Sequence, residues 1–373
     1  MARSIITISA LALVASVGAA QAGGFSRGAA DTDILYEDGN FNLRNGVTYV
    51  SPSRKFTVNA NPALVGTNYT EPYAVFSGAV KLNLTDDLRC SATYSQPYGG
   101  SVAYAAPSLP SGKLIEDFTI SEMALTCGYK FDLAKGRAWI LGGIYQESFD
   151  YERVNFRTAT TRFHLGLNGT DFGFRVGAAY EIPEIALRAQ LMYRAASSYG
   201  ADGTLDVRTL AGTTVASFGA IGTGQLPQSV EMKLQSGIAP GWLAFGSVKW
   251  TDWSVTEQLI VNVPAIAATQ TNDYFWKDGW TVTAGIGHAF NEQWSGAASI
   301  TWDKGVGTGY DLSSDTWTFG AGGSYKDSMG GELRFGGGVT YITSAAENKY
   351  GALNTAVDGG WAYALTASYK TKW

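Results

Sequence analysis

Two cysteines and two histidines in 373 residues leave little material for metal or nucleophilic chemistry. His164 falls in a long connector and His288 before a short one, so the two are expected at opposite ends of the molecule. No metal site and no cofactor are therefore expected. Charged residues make up only 16% of the chain, against about 25% in ordinary soluble domains. The net charge of −5 and the absence of a Lys/Arg cluster exclude nucleic acid as a partner. Long apolar runs are also missing. After residue 22 none approaches the roughly 18 residues of a membrane-crossing helix.

What is present is glycine (46 residues), aromatic side chains (13%) and a fine mixture of polar and apolar residues. The chain opens with Arg3, an apolar run from Ile5 to Val17, and Ala20-Gln21-Ala22. Charge, apolar core and small-residue cleavage site are the three parts of a secretory leader. The expected division is therefore a signal peptide over 1–22, an N-terminal plug over 23–45, and a wall over 46–373. The plug segment Gly23–Asn45 is small, acidic and Gly-rich, with Ile34-Leu35-Tyr36 as its apolar knot. It is either a frayed tail or a stopper held by the wall.

The wall segment alternates. Trp361, Tyr363, Leu365, Ala367, Tyr369, Thr371 and Trp373 share one face, opposite Ala362, Ala364, Thr366, Ser368, Lys370 and Lys372. Such a period of two is a strand signal. Connectors alternate too. Short turns at 85–87, 134–136, 182–184, 239–241, 291–292 and 326–330 interleave with long loops at 52–71, 97–115, 158–170, 209–222, 263–272, 304–312 and 345–355. Short turns at one end and long loops at the other mark an up-and-down antiparallel transmembrane β-barrel, all-β, with about 14 strands. Strands such as 116–132 and 136–157 exceed the 5–6 residues usual in a soluble sandwich. A cation at mid-bilayer on the lipid face costs roughly 2–4 kcal/mol. Arg175, Arg188, Arg194, Glu231 and Lys233 are therefore assigned to the lumen, either as a ladder of ion pairs or as an attractor for an anionic substrate.

From Leu226 onward an ordered series appears: Leu226-Pro227-Gln228-Ser229, Lys249-Trp250-Thr251-Asp252-Trp253-Ser254, Lys277-Asp278-Gly279-Trp280-Thr281-Val282, Asn291-Glu292-Gln293-Trp294, and Asp315-Thr316-Trp317-Thr318-Phe319-Gly320. Upstream, Asp171-Phe172-Gly173-Phe174, Tyr193-Arg194 and Ser95-Gln96-Pro97-Tyr98-Gly99 fit the same series. It resembles the FadL/TodX family of outer-membrane transporters for long-chain fatty acids and aromatic hydrocarbons. The resemblance implies a fourteen-stranded barrel, which the turn count reaches separately, and an N-terminal hatch in the lumen. It also implies capture of substrate among the outer loops, transfer to a pocket near the hatch, and sideways release through a gap at a kinked third strand. Three features depart from the family. The chain is short, Asn61-Pro62-Ala63 falls in the first outer loop rather than at the end of the hatch, and Asp303-Lys304-Gly305-Val306-Gly307 replaces a proline-rich stretch.

Site residues follow from both readings. Phe25, Ile34, Leu35 and Tyr36 are expected to touch substrate or wall. The outer loops contribute Phe149, Phe156, Phe163, Leu210 and Phe218, as a capture groove or as a lid packed on itself, with Arg153, Arg157 and Arg162 near enough for a carboxylate head group. Pro97-Tyr98-Gly99-Gly100 is either the end of a strand or the lateral gap, since Pro lacks a ladder donor and Gly weakens a strand. Cys90 and Cys127 lie on neighbouring strands with the same facing, and an oxidising periplasm permits a bond between them. The alternative is two small lipid-facing thiols. The expected function is passive uptake of a hydrophobic molecule, foremost a long-chain fatty acid. A general or aromatic-hydrocarbon-selective porin is the alternative, and a barrel-embedded enzyme a remote one. The expected partners are the substrate, outer-membrane lipid and lipopolysaccharide, and the barrel assembly machinery, acting on a monomer.

Overall fold

The computed structural model describes residues 23–373; the leader expected over 1–22 lies outside them. The wall is a closed antiparallel barrel of 14 strands. These are β1 (Phe41–Ser53), β2 (Tyr73–Asn83), β3 (Leu88–Ser108), β4 (Lys113–Asp132), β5 (Arg137–Phe156), β6 (Thr161–Ile182), β7 (Leu187–Arg194), β8 (Ser229–Ala239), β9 (Trp242–Thr251), β10 (Gly279–Ala289), β11 (Trp294–Lys304), β12 (Thr316–Lys326), β13 (Glu332–Ile342) and β14 (Gly360–Lys372). Closure is made by β1, whose Val47 pairs with Phe76 of β2 on one side and Ala367 of β14 on the other. Every strand therefore has two partners, and the barrel has no free edge strand in lipid, where unpaired backbone groups have no water to turn to; the one interruption, between β2 and β3, is described below.

Alternation sorts the two faces. In β6, Phe172, Phe174 and Val176 are exposed towards lipid while Arg175 and Ala179 are buried inward. In β14, Trp361, Tyr363 and Leu365 face out and Ala362, Ala364 and Lys370 face in. Aromatic pairs ring both rims: Phe41 with Trp373 and Trp294 with Tyr325 at the short-turn end, Trp302 with Trp317 and Tyr341 with Trp361 at the other. Cys90 of β3 and Cys127 of β4 stand directly opposite and form a disulfide.

Two boundaries differ from the sequence expectation. The first wall strand begins at Phe41, so Phe41 to Asn45 belong to the barrel rather than the plug. The segments 97–115, 158–170 and 209–222 are mostly strand, not loop. β3 to β6 run on past the bilayer, joined by tight connections at 109–112 and 157–160. Beyond Ala195, Ser197–Thr209 pairs with the outer part of β6 and turns back as Thr214–Leu226. A second outer hairpin, Gln258–Val263 with Ala268–Asp273, pairs onto the first. Length alone suggested loops. The backbone groups there are satisfied instead by a sheet that extends the barrel outward on one side, its apolar face inward.

Candidate functional site

The lumen has two storeys. The lower one holds the plug. Thr32–Tyr36 forms a single 3-10 turn, with Ile34 and Leu35 fully buried. Leu35 and Tyr36 pack on Trp139, Leu141 and Ala179 of the inner wall. Carbonyls of the turn and of the residues just after it find cationic donors on the barrel. Arg89 Nη1 donates to Leu35 O at 3.0 Å, and Lys81 Nζ to Glu37 O and Gly39 O at 2.7 Å. Ion pairs complete the attachment: Arg44 with Asp31 and Glu37, Lys370 with Glu37 at 3.1 Å, and Lys233 with Asp33 at 3.5 Å. The Arg188 guanidinium stacks 4.4 Å from the Tyr36 ring centre.

A second ionic cluster closes this storey from above. Arg175 pairs with Glu122, and Arg194 bridges Glu122 and Glu147, whose other oxygen accepts from Ser197 Oγ at 2.5 Å. A buried charge left alone costs several kcal/mol. Together with Glu231 and Lys233, 3.9 Å apart, these are the luminal charges that alternation places inward.

The upper storey is apolar and aromatic. Phe25 stands in a nest of rings, with centroids 4.4 Å from Phe118, 4.6 Å from Trp276 and 5.3 Å from Tyr274. Gly24 brings it there: its φ of +61° suits glycine, and a Cβ would lie 2.7 Å from Trp253. Phe149, Tyr151, Leu165, Leu167 and Val261 extend the same buried cluster up the outer sheet, with Tyr199 and Phe218 packed against it. Beside Phe25 a cavity of about 210 Å³ is lined by Tyr69, Val102, Tyr104, Phe118, Tyr274 and Ile342, and by the charged Arg54, Lys113, Glu116, Asp311 and Glu347. Burial pushes the Asp311 carboxyl up, and pushes Glu347 up to about 7.

Between the storeys the wall is interrupted. β2 and β3 pair from Asn83/Arg89 up to Gly78/Tyr94 and no further. At that height two residues of β3, Gln96 and Pro97, oppose one of β4, a bulge that turns β3 inward. The strands meet again only at a Thr70–Val102 bridge. Across this window the Gln96 side chain accepts from Phe76 N at 2.8 Å. Behind it the plug pairs with the displaced strand: Arg27 N donates to Pro97 O at 2.8 Å, Gly28 N to Gln96 O at 2.9 Å, and Gly99 N to Phe25 O at 2.9 Å.

The structure thus gathers Phe25, Phe149 and Phe218, and places Pro97, Tyr98, Gly99 and Gly100 at the window. Ile34, Leu35 and Tyr36 lie in the lower storey, away from the nest. Phe156, Arg157, Arg162 and Phe163 sit at the β5–β6 tip, where the arginines stack on the two rings, and Leu210 is exposed at the tip of the first outer hairpin. None of these reaches the cavity. Arg153 is buried and bonded to Gln270 and Asn272, tying the wall to the second outer hairpin. The sequence reading omits Phe118, Tyr274 and Trp276. Trp253 stands in one of the family-like motifs, and the aromatic run Tyr274-Phe275-Trp276 is the sequence signal that could have pointed to the nest.

A family model described as outer membrane protein transport protein (OMPP1/FadL/TodX) matches residues 121–305. Among solved structures, that of a Pseudomonas aeruginosa FadL homologue aligns at a TM-score of 0.72 and 13% identity, over 96% of this chain and 97% of that one. The Pseudomonas putida toluene transporter TodX aligns at 0.67 and 12%, over 99% and 100%. The Ralstonia pickettii toluene transporter TbuX aligns at 0.64 and 12%, over 90% of each. At these identities the likeness is one of fold. No curated protein sequence matches the chain.

Proposed function

From a chain that belongs to the FadL/TodX family of outer-membrane transport proteins, we propose a passive uptake channel that releases its substrate sideways into the bilayer. The substrate is a hydrophobic small molecule, foremost a long-chain fatty acid. It enters through the outer sheet, settles in the apolar cavity beside Phe25, and leaves through the window between β2 and β3. The observation that carries this reading is the unpaired stretch of wall at the level of an aromatic cavity. A lumen blocked below by ion pairs offers no apolar path to the periplasm, whereas the window opens on lipid tails. Burial of apolar surface supplies affinity at about 0.8 kcal/mol per methylene. A second reading, a monoaromatic hydrocarbon, draws on the nest of rings, whose edge-to-face geometry suits a single aromatic guest.

The test is uptake by a deletion strain complemented with the gene, across fatty acids, alkanes and monoaromatics. Replacing Gln96-Pro97 with one threonine removes the extra residue of the bulge and restores the ladder. Uptake should then drop to the level of the deletion strain while the barrel keeps its heat resistance. Unchanged uptake in the repaired barrel sinks lateral release.

A further inference from the structure

Arg27, a cation of the plug, lies against the window with no ion pair among the described residues; the Asp117 carboxylate acts on it only from beyond ion-pair distance. It is 8% exposed. Its guanidinium rests 4.0 Å from the centre of the Tyr73 ring on β2, and over Gly99 on β3, where a Cβ would come within 2.6 Å of Nη1. Among the described residues no carboxylate lies within ion-pair distance of it, whereas the plug carboxylates Asp31, Asp33 and Glu37 each have a cationic partner. Its Nε and Nη2 are buried without a hydrogen-bond partner. These two atoms form one edge of the guanidinium, the side-on fork that takes both oxygens of a carboxylate. A ring face accepts the cation but does not satisfy those N–H groups.

Resting on the transport reading above, we infer that Arg27 receives the carboxylate of an amphiphilic acid as it passes from the cavity to the window. The orphaned edge then gains the partner that the fold withholds, and the acid's tail keeps to the apolar side. Phe25, two residues away, lines the cavity that the tail would fill, so head and tail sites are carried by one short stretch of the plug. Arg27 thereby separates the two candidate substrate classes, because a neutral hydrocarbon has nothing to offer that edge. The acid is either aliphatic or aromatic, and the chemistry at Arg27 is the same.

The test uses the full barrel in detergent at pH 8, following tryptophan fluorescence, since Trp253 and Trp276 border Phe25. Ligands are laurate against dodecanol, and benzoate against toluene. Arg27→Met should weaken binding of one or both acids by about tenfold or more, as for loss of a charge-assisted pair. It should leave the matched neutral compound unchanged, and Arg27→Lys should recover part of the loss. The acid affected names the source. Equal loss for acid and neutral partner, or no loss for either acid, overturns the inference in favour of a purely supporting role in the plug. If wild-type protein binds none of the four, the transport reading fails first and this one with it.

Discussion

Below the window the lumen is closed by charges that find each other; above it the lumen is lined by rings that leave room. Both interiors are built from the inward face of the same strands. In β4, Glu122 pairs with two arginines, while Phe118, four residues further out on the same face, touches Phe25. The difference teaches what each part of the plug is for. Ion pairs are directional and costly to break in a confined space, so they immobilise Asp31 to Glu37. Apolar contacts are tolerant of exchange, so a ring such as Phe25 can be replaced by another apolar body of similar size. A plug anchored by charge at one end and by a ring at the other has a fixed half and an exchangeable half.

The strongest way to break this contrast is in the ionic storey. Arg194→Met strands Glu147 and one oxygen of Glu122, and should cost about 3–5 kcal/mol. The expected sign is a lower unfolding temperature in detergent, read from gel mobility after heating. A barrel of unaltered heat resistance would mean the cluster is hydrated and structurally idle. Next comes the exchangeable half. Phe25→Ala should remove about 3 kcal/mol of plug docking. Bilayer conductance and protease access to residues 23–30 should both rise, with barrel melting unchanged. Equal loss of barrel stability would make the two halves of the plug one unit.

A third test acts on β3, whose lower part is locked to β4 while its upper part departs from β2. Cys90→Ser with Cys127→Ser opens a cross-link spanning 37 positions. It should cost about 2 kcal/mol against unfolding. Uptake should stay unchanged, because the bulge at Gln96-Pro97 lies above the bond. A fall in uptake without a fall in stability would show that the bond shapes the window.

The smallest effect concerns the outer margin of the cavity. Glu347 lies in a short strand, Ala345–Glu347, that pairs with Thr355–Val357 over the cavity. Its folded pKa of about 7 is above the unfolded value, so the neutral form favours the closed arrangement. That contribution is complete below about pH 4.5 and is lost as pH rises through 7. With intrinsic exchange rates divided out, protection over 345–357 should fall from pH 5 to 8, and Glu347→Gln should flatten that fall. Identical pH profiles for the two proteins would refute the assignment.

Much of the wall was legible. Alternation in β6, β7 and β8 sorted Arg175, Arg188, Glu231 and Lys233 inward, because only one face of a strand tolerates charge in lipid. Turn length separated one rim from the other. The site was less legible. Phe149 and Phe156 stand seven residues apart in one strand, an odd spacing that points them to opposite faces, and only the first reaches the nest. Leu210 and Phe218 belong to a hairpin whose place above the barrel depends on pairing with β6, a contact some forty residues away in sequence (for instance Leu165 with Leu205). Phe118 escaped notice inside a long strand, and Tyr274 and Trp276 because they fall between the connector at 263–272 and the motif that opens at Lys277.

The sequence by itself determined the class of wall and the number of strands. Those properties are local: a period of two and the length of a turn are readable within a dozen residues. Tertiary structure alone decided which apolar residues meet, that the long loops are protruding sheet, that Arg153 ties the wall to the second outer hairpin, and that Arg27 stands behind the window with no ion pair among the described residues. Those depend on the height at which distant strands come into register. Alternation tells which way a side chain points, but not what stands opposite once the barrel has closed.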